Sequence, residues 1–176
     1  VTSRKGDTIL LTTGFPIPPK NIGETDGPPG TAVLTETLLS AGLKPIIATD
    51  DHGMEIVKAA SPDAPVIGFP IEDEEASRLA EKILSEHNPS TIIAIERPGW
   101  NQKHEYHNMR GLNISSLIGK TDHLFEKGRK RGIATIAVGD GGNELGCGTI
   151  IETVRKHVKY GYTCQCPCRG GIAAST

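Results

Sequence analysis

Four short apolar runs in this chain each give way to a polar, glycine-containing cluster, and that repeated joint constrains the fold more than any other feature. Thr8 to Thr12 leads into Thr13-Gly14-Phe15-Pro16, Pro45 to Ala48 into Asp50-Asp51-His52-Gly53, Thr91 to Ile95 into Glu96-Arg97-Pro98-Gly99, and Ala134 to Val138 into Gly139-Asp140-Gly141-Gly142-Asn143-Glu144. In an open parallel sheet, the loops that follow the strands emerge on one edge. The acids and the arginine of these clusters are therefore expected to converge on one crevice.

Strands are predicted at 8–12, 44–49, 65–69, 91–95 and 134–138. Helices are predicted at 31–41, with Val33, Leu34, Leu38 and Leu39 as its apolar residues, and at 54–60, 72–87, 121–131 and 149–160. Gly42 and Gly132 stop two of the helices. The runs at 91–95 and 134–138 are nearly continuous in apolar residues, as strands covered on both faces are. The alternation predicts an α/β fold, a three-layer, doubly wound, mostly parallel sheet of the Rossmann-like kind with helices on both faces. Lys20 to Gly30 and Trp100 to Asn113 break it as long polar segments, the kind that serve as lids or binding loops.

A chain of 176 residues suits one α/β domain spanning 1–176. Its close on Gly170-Gly171-Ile172-Ala173-Ala174 looks like the approach to another element, so a fragment lacking a C-terminal continuation is within the expectation. With aromatics at 4%, the core must rest on Ile, Leu, Val and Ala. A formal charge of -2, mixed in sign along the chain, gives no footprint for nucleic acid or an anionic membrane. A small polar substrate is the expected partner, and a homo-oligomer is compatible with the sequence. With no apolar run near the roughly 20 residues that span a bilayer, and no signal sequence, the expected location is the cytoplasm, or the mitochondrial matrix in a eukaryote.

The candidate residues fall in the joints. Glu24, Asp26 and Gly27 precede a helix whose N-terminal amides can hold an anion, or they form a rigid turn with an Asp cap. Asp50 and Asp51 beside His52 read as one capping Asp and one Asp facing the crevice. Glu96-Arg97 sits before the rigid Pro98-Gly99 turn, where the guanidinium can take a carboxylate in bidentate fashion or pair with a neighbouring acid. Asp140, Gly141, Gly142, Asn143 and Glu144 combine glycine-freed amides with two acids that can act as acid, base or metal ligand. Asn108 and Arg110, with His104, Tyr106, His107 and Met109, suit a closing lid. Cys164, Cys166 and Cys168, with Cys147 upstream, alternate through Pro167, a spacing that suits one tetrahedral ion poorly. Free thiols and no structural metal are expected.

The segments Thr-Gly-Phe-Pro-Ile (13–17), Glu-Thr-Asp-Gly-Pro-Pro-Gly (24–30), Ile-Glu-Arg-Pro-Gly (95–99), Tyr-His-Asn-Met-Arg-Gly (106–111) and Gly-Asp-Gly-Gly-Asn-Glu-Leu-Gly-Cys-Gly (139–148) together resemble the D-glutamate cyclase family. The likeness is to the C-terminal domain of the mitochondrial enzyme and to its stand-alone microbial relatives. The resemblance implies a lyase that dehydrates D-glutamate to 5-oxo-D-proline without a cofactor. Such a reaction needs a base, oxyanion donors and an acid. By residue type, Arg97 is expected to clamp the α-carboxylate and Asp140 or Glu144 to shuttle the proton. Amides at Gly141 and Gly142, with Asn143, are expected to hold the oxyanion. Two alternatives stand beside it. One is a divalent-metal lyase or hydrolase of a small acidic substrate built on Asp50, Asp51, Asp140 and Glu144, and the other is a non-catalytic small-ligand-binding module.

Overall fold

The structure, a computed structural model, describes residues 3–20, 22–101, 103–108 and 110–157. Met109, Cys164, Cys166, Cys168 and residues 158–160 of the expected last helix lie outside the described residues.

Apolar β-branched runs form the sheet: β1 (Thr8–Thr13), β4 (Lys44–Thr49), β5 (Val66–Gly68), β6 (Thr91–Ile95) and β7 (Ala134–Val138). Between β1 and β4 the chain inserts a small antiparallel pair, β2 (Pro16–Ile17) and β3 (Ile22–Gly23), and then α1 (Pro28–Ser40). The other helices are α2 (Asp51–Ala60), α3 (Asp73–His87), α4 (Asp122–Lys130) and α5 (Ile151–His157). Every pairing in the five-stranded sheet is parallel, in the order β5-β4-β1-β6-β7. Leu11 registers with Ile47 on one side and Ile93 on the other. The order reverses at β1, and in an open α/β sheet the carboxyl ends of β1 and its neighbour β6 then flank the ligand crevice.

Helices cover both faces. On one, Leu10, Ile46, Ile92 and Ala94 pack with Ala76, Ala80 and Ile83 of α3 and with Leu124 and Phe125 of α4. On the other, Ile9, Leu11 and Ile47 pack with Leu34 and Leu38 of α1 and with Val57 of α2. The apolar stripe predicted for α1 is half right. Val33 is 66% exposed, and the inward face is completed instead by Pro28, Thr31 and Thr35. The expectation that β7 is covered on both faces also fails. As an edge strand it leaves Ile136 40% and Val138 52% exposed, while Ala137 packs against the α3–α4 core.

The two segments read as structureless are largely folded. In 20–30, Ile22–Gly23 pairs with Pro16–Ile17, and α1 begins at Pro28, three residues earlier than predicted. Proline fits there because the first helical N–H groups have no intrahelical acceptor. In 100–113, Trp100 and Tyr106 join Ile114 and Ile118 in a third apolar cluster against Phe15 and Leu117. Trp100 stacks on His104 and meets His123 edge-on. Two buried aromatics, Trp100 and Tyr106, rather than a helical or strand period, hold this loop down, which is why periodicity does not detect it.

Candidate active site

Two polar groups form where β1, β4, β6 and β7 end, and they have opposite character. The first is buried around Arg97. Its guanidinium donates to Asp50 Oδ2 (2.7 Å), to the carbonyls of Gly14 (3.0 Å) and Gly119 (2.5 Å), and to Thr121 Oγ1 (3.1 Å). Beside it, Asp122 accepts from the Trp100 amide (2.9 Å) and from the Tyr106 hydroxyl (2.5 Å). Burial, outweighing these hydrogen bonds and the nearby Arg97 charge, holds the Asp122 carboxyl above its usual range. Burial, with Asp122 alongside, pushes the Tyr106 phenol well above 10.

The expected role of Arg97 as a substrate clamp is therefore corrected. The side chain is fully buried, and its donors are engaged within the protein. Asp50 is also neither the cap nor the crevice acid expected, since its side chain makes no capping bond to α2 and instead faces Arg97. Asp51 sits exposed at the start of α2. With Asp50 and His52 it lines a second cleft of about 590 Å³, so this pair of acids does not share a pocket with Asp140 and Glu144.

The second polar group is open. Glu96 directly follows β6, and its φ of 46° puts a non-glycine residue in the left-handed region. Such a conformation costs about 1–2 kcal/mol and survives only where the surroundings impose it. They do so here through main-chain bonds. The Glu96 N–H donates to Val138 O (2.9 Å), and residues 97–99 then run antiparallel to 143–145. Gly99 N–H donates to Asn143 O (3.0 Å) and Leu145 N–H to Arg97 O (2.8 Å). Behind Glu96, Gly27 (φ 87°) starts α1, where an added Cβ would lie 2.6 Å from Thr13 Oγ1 and 3.0 Å from Glu96 Cβ. Only glycine lets α1 approach this closely.

The resulting cleft has a volume of about 330 Å³. Phe15, Pro16, Ile17 and Pro18 make an apolar wall, Glu24 and Asp26 come from the segment before α1, and Glu96 from the end of β6. Asp140, Gly141, Asn143 and Glu144 follow β7, and Asn108 and Arg110 come from the long loop. Thus Glu24, Asp26, Glu96, Asn108, Arg110, Asp140, Gly141, Asn143 and Glu144 share one cleft, whereas Asp50, Asp51 and Arg97 do not, and Gly27 and Gly142 are buried and do not line it.

Within the cleft the expected roles shift. Glu144 is buried and accepts from the amides of Gly141 (2.7 Å) and Gly142 (2.7 Å) and from the thiol of Cys147 (3.3 Å). Those two amides serve the Glu144 carboxylate, which corrects their expected role as oxyanion donors. Asn143 donates its side-chain amide to His107 O (2.7 Å), tying the long loop to the acid wall. Cys147 is a free thiol that burial, with Glu144 adjacent, pushes up to about 12, so it stays protonated. The α1 N-terminus is a poor anion site, because Pro28 and Pro29 remove two first-turn donors and the Gly27 N–H donates to Asp26 Oδ1 (2.9 Å).

Glu96 is the most strongly perturbed carboxyl of the cleft among those with a resolved shift. Burial, followed by the charges of Glu144, Asp140, Asp26 and Glu24, pushes its carboxyl up to about 7. Glu24 is raised by burial and then by Asp26, Asp140 and Glu144. A carboxyl poised near neutrality can both take and return a proton at physiological pH. Carboxylate oxygens of Glu96, Asp140 and Glu144 also lie within 4.8 Å of one another, close enough for a shared divalent cation.

Fold and cleft together define a doubly wound α/β protein with an acid-lined pocket at its strand reversal. The chain belongs to the family described as D-glutamate cyclase-like, C-terminal, whose model matches residues 2–175. It is 32% identical to the human mitochondrial D-glutamate cyclase over a 187-position alignment covering 94% of this chain. The chain spans 30% of that enzyme's length. Solved structures with partial overlap include the Bordetella bronchiseptica enzyme WbmH in complex with NAD+ and a short-chain dehydrogenase from Streptomyces avermitilis. The first is 13% identical with a TM-score of 0.46, covering 74% of this chain and 38% of that one. The second is 17% identical with a TM-score of 0.41, covering 78% and 50%. No described helix is long and apolar enough to cross a membrane.

Proposed function

We propose that this cleft cyclises D-glutamate to 5-oxo-D-proline, with Glu96 as the proton relay. The carrying observation is a carboxyl titrating at about 7 inside a pocket of acids, in a chain of the D-glutamate cyclase-like family. In the overall change the α-nitrogen forms a bond to the δ-carbon, the side-chain carboxyl carbon, and the bond from that carbon to one oxygen breaks. The oxygen leaves as water with one proton from the neutral carboxyl and one from the ammonium, and the second ammonium proton goes to solvent, replacing the one that protonated the carboxyl. Ionised Glu96 takes a proton from the ammonium, freeing the lone pair for attack, and returns it to the departing oxygen.

The acidic surroundings serve both ends of this sequence. They attract the ammonium group and, by the field that raises Glu96, favour the protonated form of a γ-carboxyl brought beside it. A neutral carboxyl is the better electrophile. Asp140 and Glu144 act in this reading as fixed charges that set the Glu96 pKa, rather than as the shuttle first expected of them. The reaction is placed in the cytoplasm, or in the mitochondrial matrix of a eukaryotic host.

A divalent-metal lyase or hydrolase is the second reading. It is favoured by the oxygen spacing of Glu96, Asp140 and Glu144, with those three rather than Asp50 and Asp51 as ligands. One experiment separates the two. The protein is incubated with D- or L-glutamate, with chelator or with added Mg2+ or Mn2+, and 5-oxoproline is measured by chiral mass spectrometry. Chelator-resistant product from the D-isomer is the expected result. Product only with metal moves the chemistry to the second reading, and none under any condition rejects the cyclase.

A further inference from the structure

An amino-acid substrate brings an α-carboxylate into a cleft that already holds Glu24, Asp26, Glu96, Asp140 and Glu144, and like charges at short range are unfavourable. A positive group must face that carboxylate. Arg97 is excluded by its buried, internally engaged guanidinium. Of the described residues lining the cleft, Arg110 alone is cationic.

Arg110 is also presented on a built turn. The Asn108 side-chain oxygen accepts from the amides of Arg110 and Leu112 (both 3.0 Å), the Gly111 amide donates to Asn108 O (2.9 Å), and Gly111 takes φ 77°. His107 bridges to Asn113, and Asn143 grips His107 O, so the turn is anchored to the loop that carries Asp140 and Glu144. The backbone that carries the arginine is therefore tied to the loop that carries Asp140 and Glu144, and the cleft holds one exposed cation among its acids.

Resting on the cyclase reading, we propose that Arg110 is the specificity-determining residue of the cleft, holding the substrate α-carboxylate so that the ammonium and γ-carboxyl fall beside Glu96. A planar guanidinium suits this because it meets a carboxylate with two parallel hydrogen bonds. The role differs from simple neutralisation of the acid cluster. An anchor discriminates between ligands that have and lack the α-carboxylate, whereas a neutralising charge changes the affinity of both alike.

The test compares D-glutamate with D-isoglutamine, which keeps the amine and γ-carboxyl but carries a neutral carboxamide in place of the α-carboxylate. Binding to wild type, Arg110→Ala and Arg110→Lys is measured by calorimetry, and 5-oxoproline formation is measured separately. Wild type is expected to prefer D-glutamate by about 10-fold to 100-fold, as a charge-assisted hydrogen-bonded pair would give. Arg110→Ala should bring that ratio close to one, and Arg110→Lys should restore part of it. An unchanged ratio in Arg110→Ala, or equal loss for both ligands, overturns the proposal. If wild type binds D-glutamate with this selectivity yet forms no 5-oxoproline, the cyclase reading falls and the anchor stands. If wild type binds neither ligand, both fall.

Discussion

The Arg97 cluster and the Glu96 cluster start from adjacent residues and use the same chemistry, yet one is closed and the other open. Arg97 is buried and its donors meet Asp50, Thr121 and two carbonyls, so its charge is spent on holding four loop segments together. Glu96 is half-buried among four other acids with no cation bonded to it among the described residues, which is why its carboxyl rises to about 7. The contrast teaches that residue type does not separate scaffold from chemistry, whereas satisfaction does. A buried charge with complete partners stabilises an architecture, and one left among like charges is poised to exchange protons.

The largest test of this contrast is Arg97→Lys. A lysine keeps the charge but cannot span Asp50, Thr121 and Gly119 from one nitrogen, so a loss of about 3 kcal/mol is expected, or about 10 °C in Tm. A normally stable variant with only a raised KM for D-glutamate would break the comparison and return Arg97 to the role of substrate clamp.

Glu96→Gln comes next, with kcat lowered by about 100-fold or more. Its stability should move the other way. Because the Glu96 pKa is raised from 4.5 to about 7, the folded state binds the proton more tightly than the unfolded state does. Ionising it costs stability progressively as pH rises through that window, and the cost persists above it. The Gln variant escapes this, so its Tm should exceed that of wild type at pH 8 and match it near pH 4.5. Thermal melts at the two pH values check the prediction, and a less stable variant at pH 8 would contradict it.

Tyr106→Phe removes the hydroxyl that donates to buried Asp122 and should cost about 1–3 kcal/mol, read by denaturant melts, with KM unchanged. Smallest is Asp140→Asn, which deletes one of the charges acting on Glu96. The wild-type rise of kcat/KM through about pH 7 should shift to lower pH by about half a unit. Loss of the pH limb altogether would make Asp140 the relay in place of Glu96.

The regular elements were legible because continuous apolar runs bounded by polar clusters define strand ends without tertiary help. The spans 44–49, 91–95 and 134–138 match the structure residue for residue. Of the residues expected to converge, Asp26, Asp140, Asn143 and Glu144 line one cleft, whereas Asp50 and Arg97 do not. What the sequence concealed was direction. Glu96 and Arg97 are neighbours at one strand end, and the left-handed turn at Glu96, set by contacts with β7 and Gly27, accompanies an acid facing the cleft and an arginine facing inward. Likewise, nothing local shows that Glu144 folds back onto the amides of Gly141 and Gly142. The aromatic anchoring of 100–113 depends on where Ile114 and Ile118 land, which no periodicity encodes.

The short antiparallel seam between 97–99 and 143–145 is made of main-chain bonds, with no acid side chain taking part. The loops bearing Glu96 and Asp140 are thus held in register by a frame indifferent to which side chains they carry at those two positions. A substitution there alters the charge pattern of the cleft while its shape persists. The seam makes the chemistry of this pocket separable from its construction, so new substrates can be explored by exchanging these groups on an unchanged backbone.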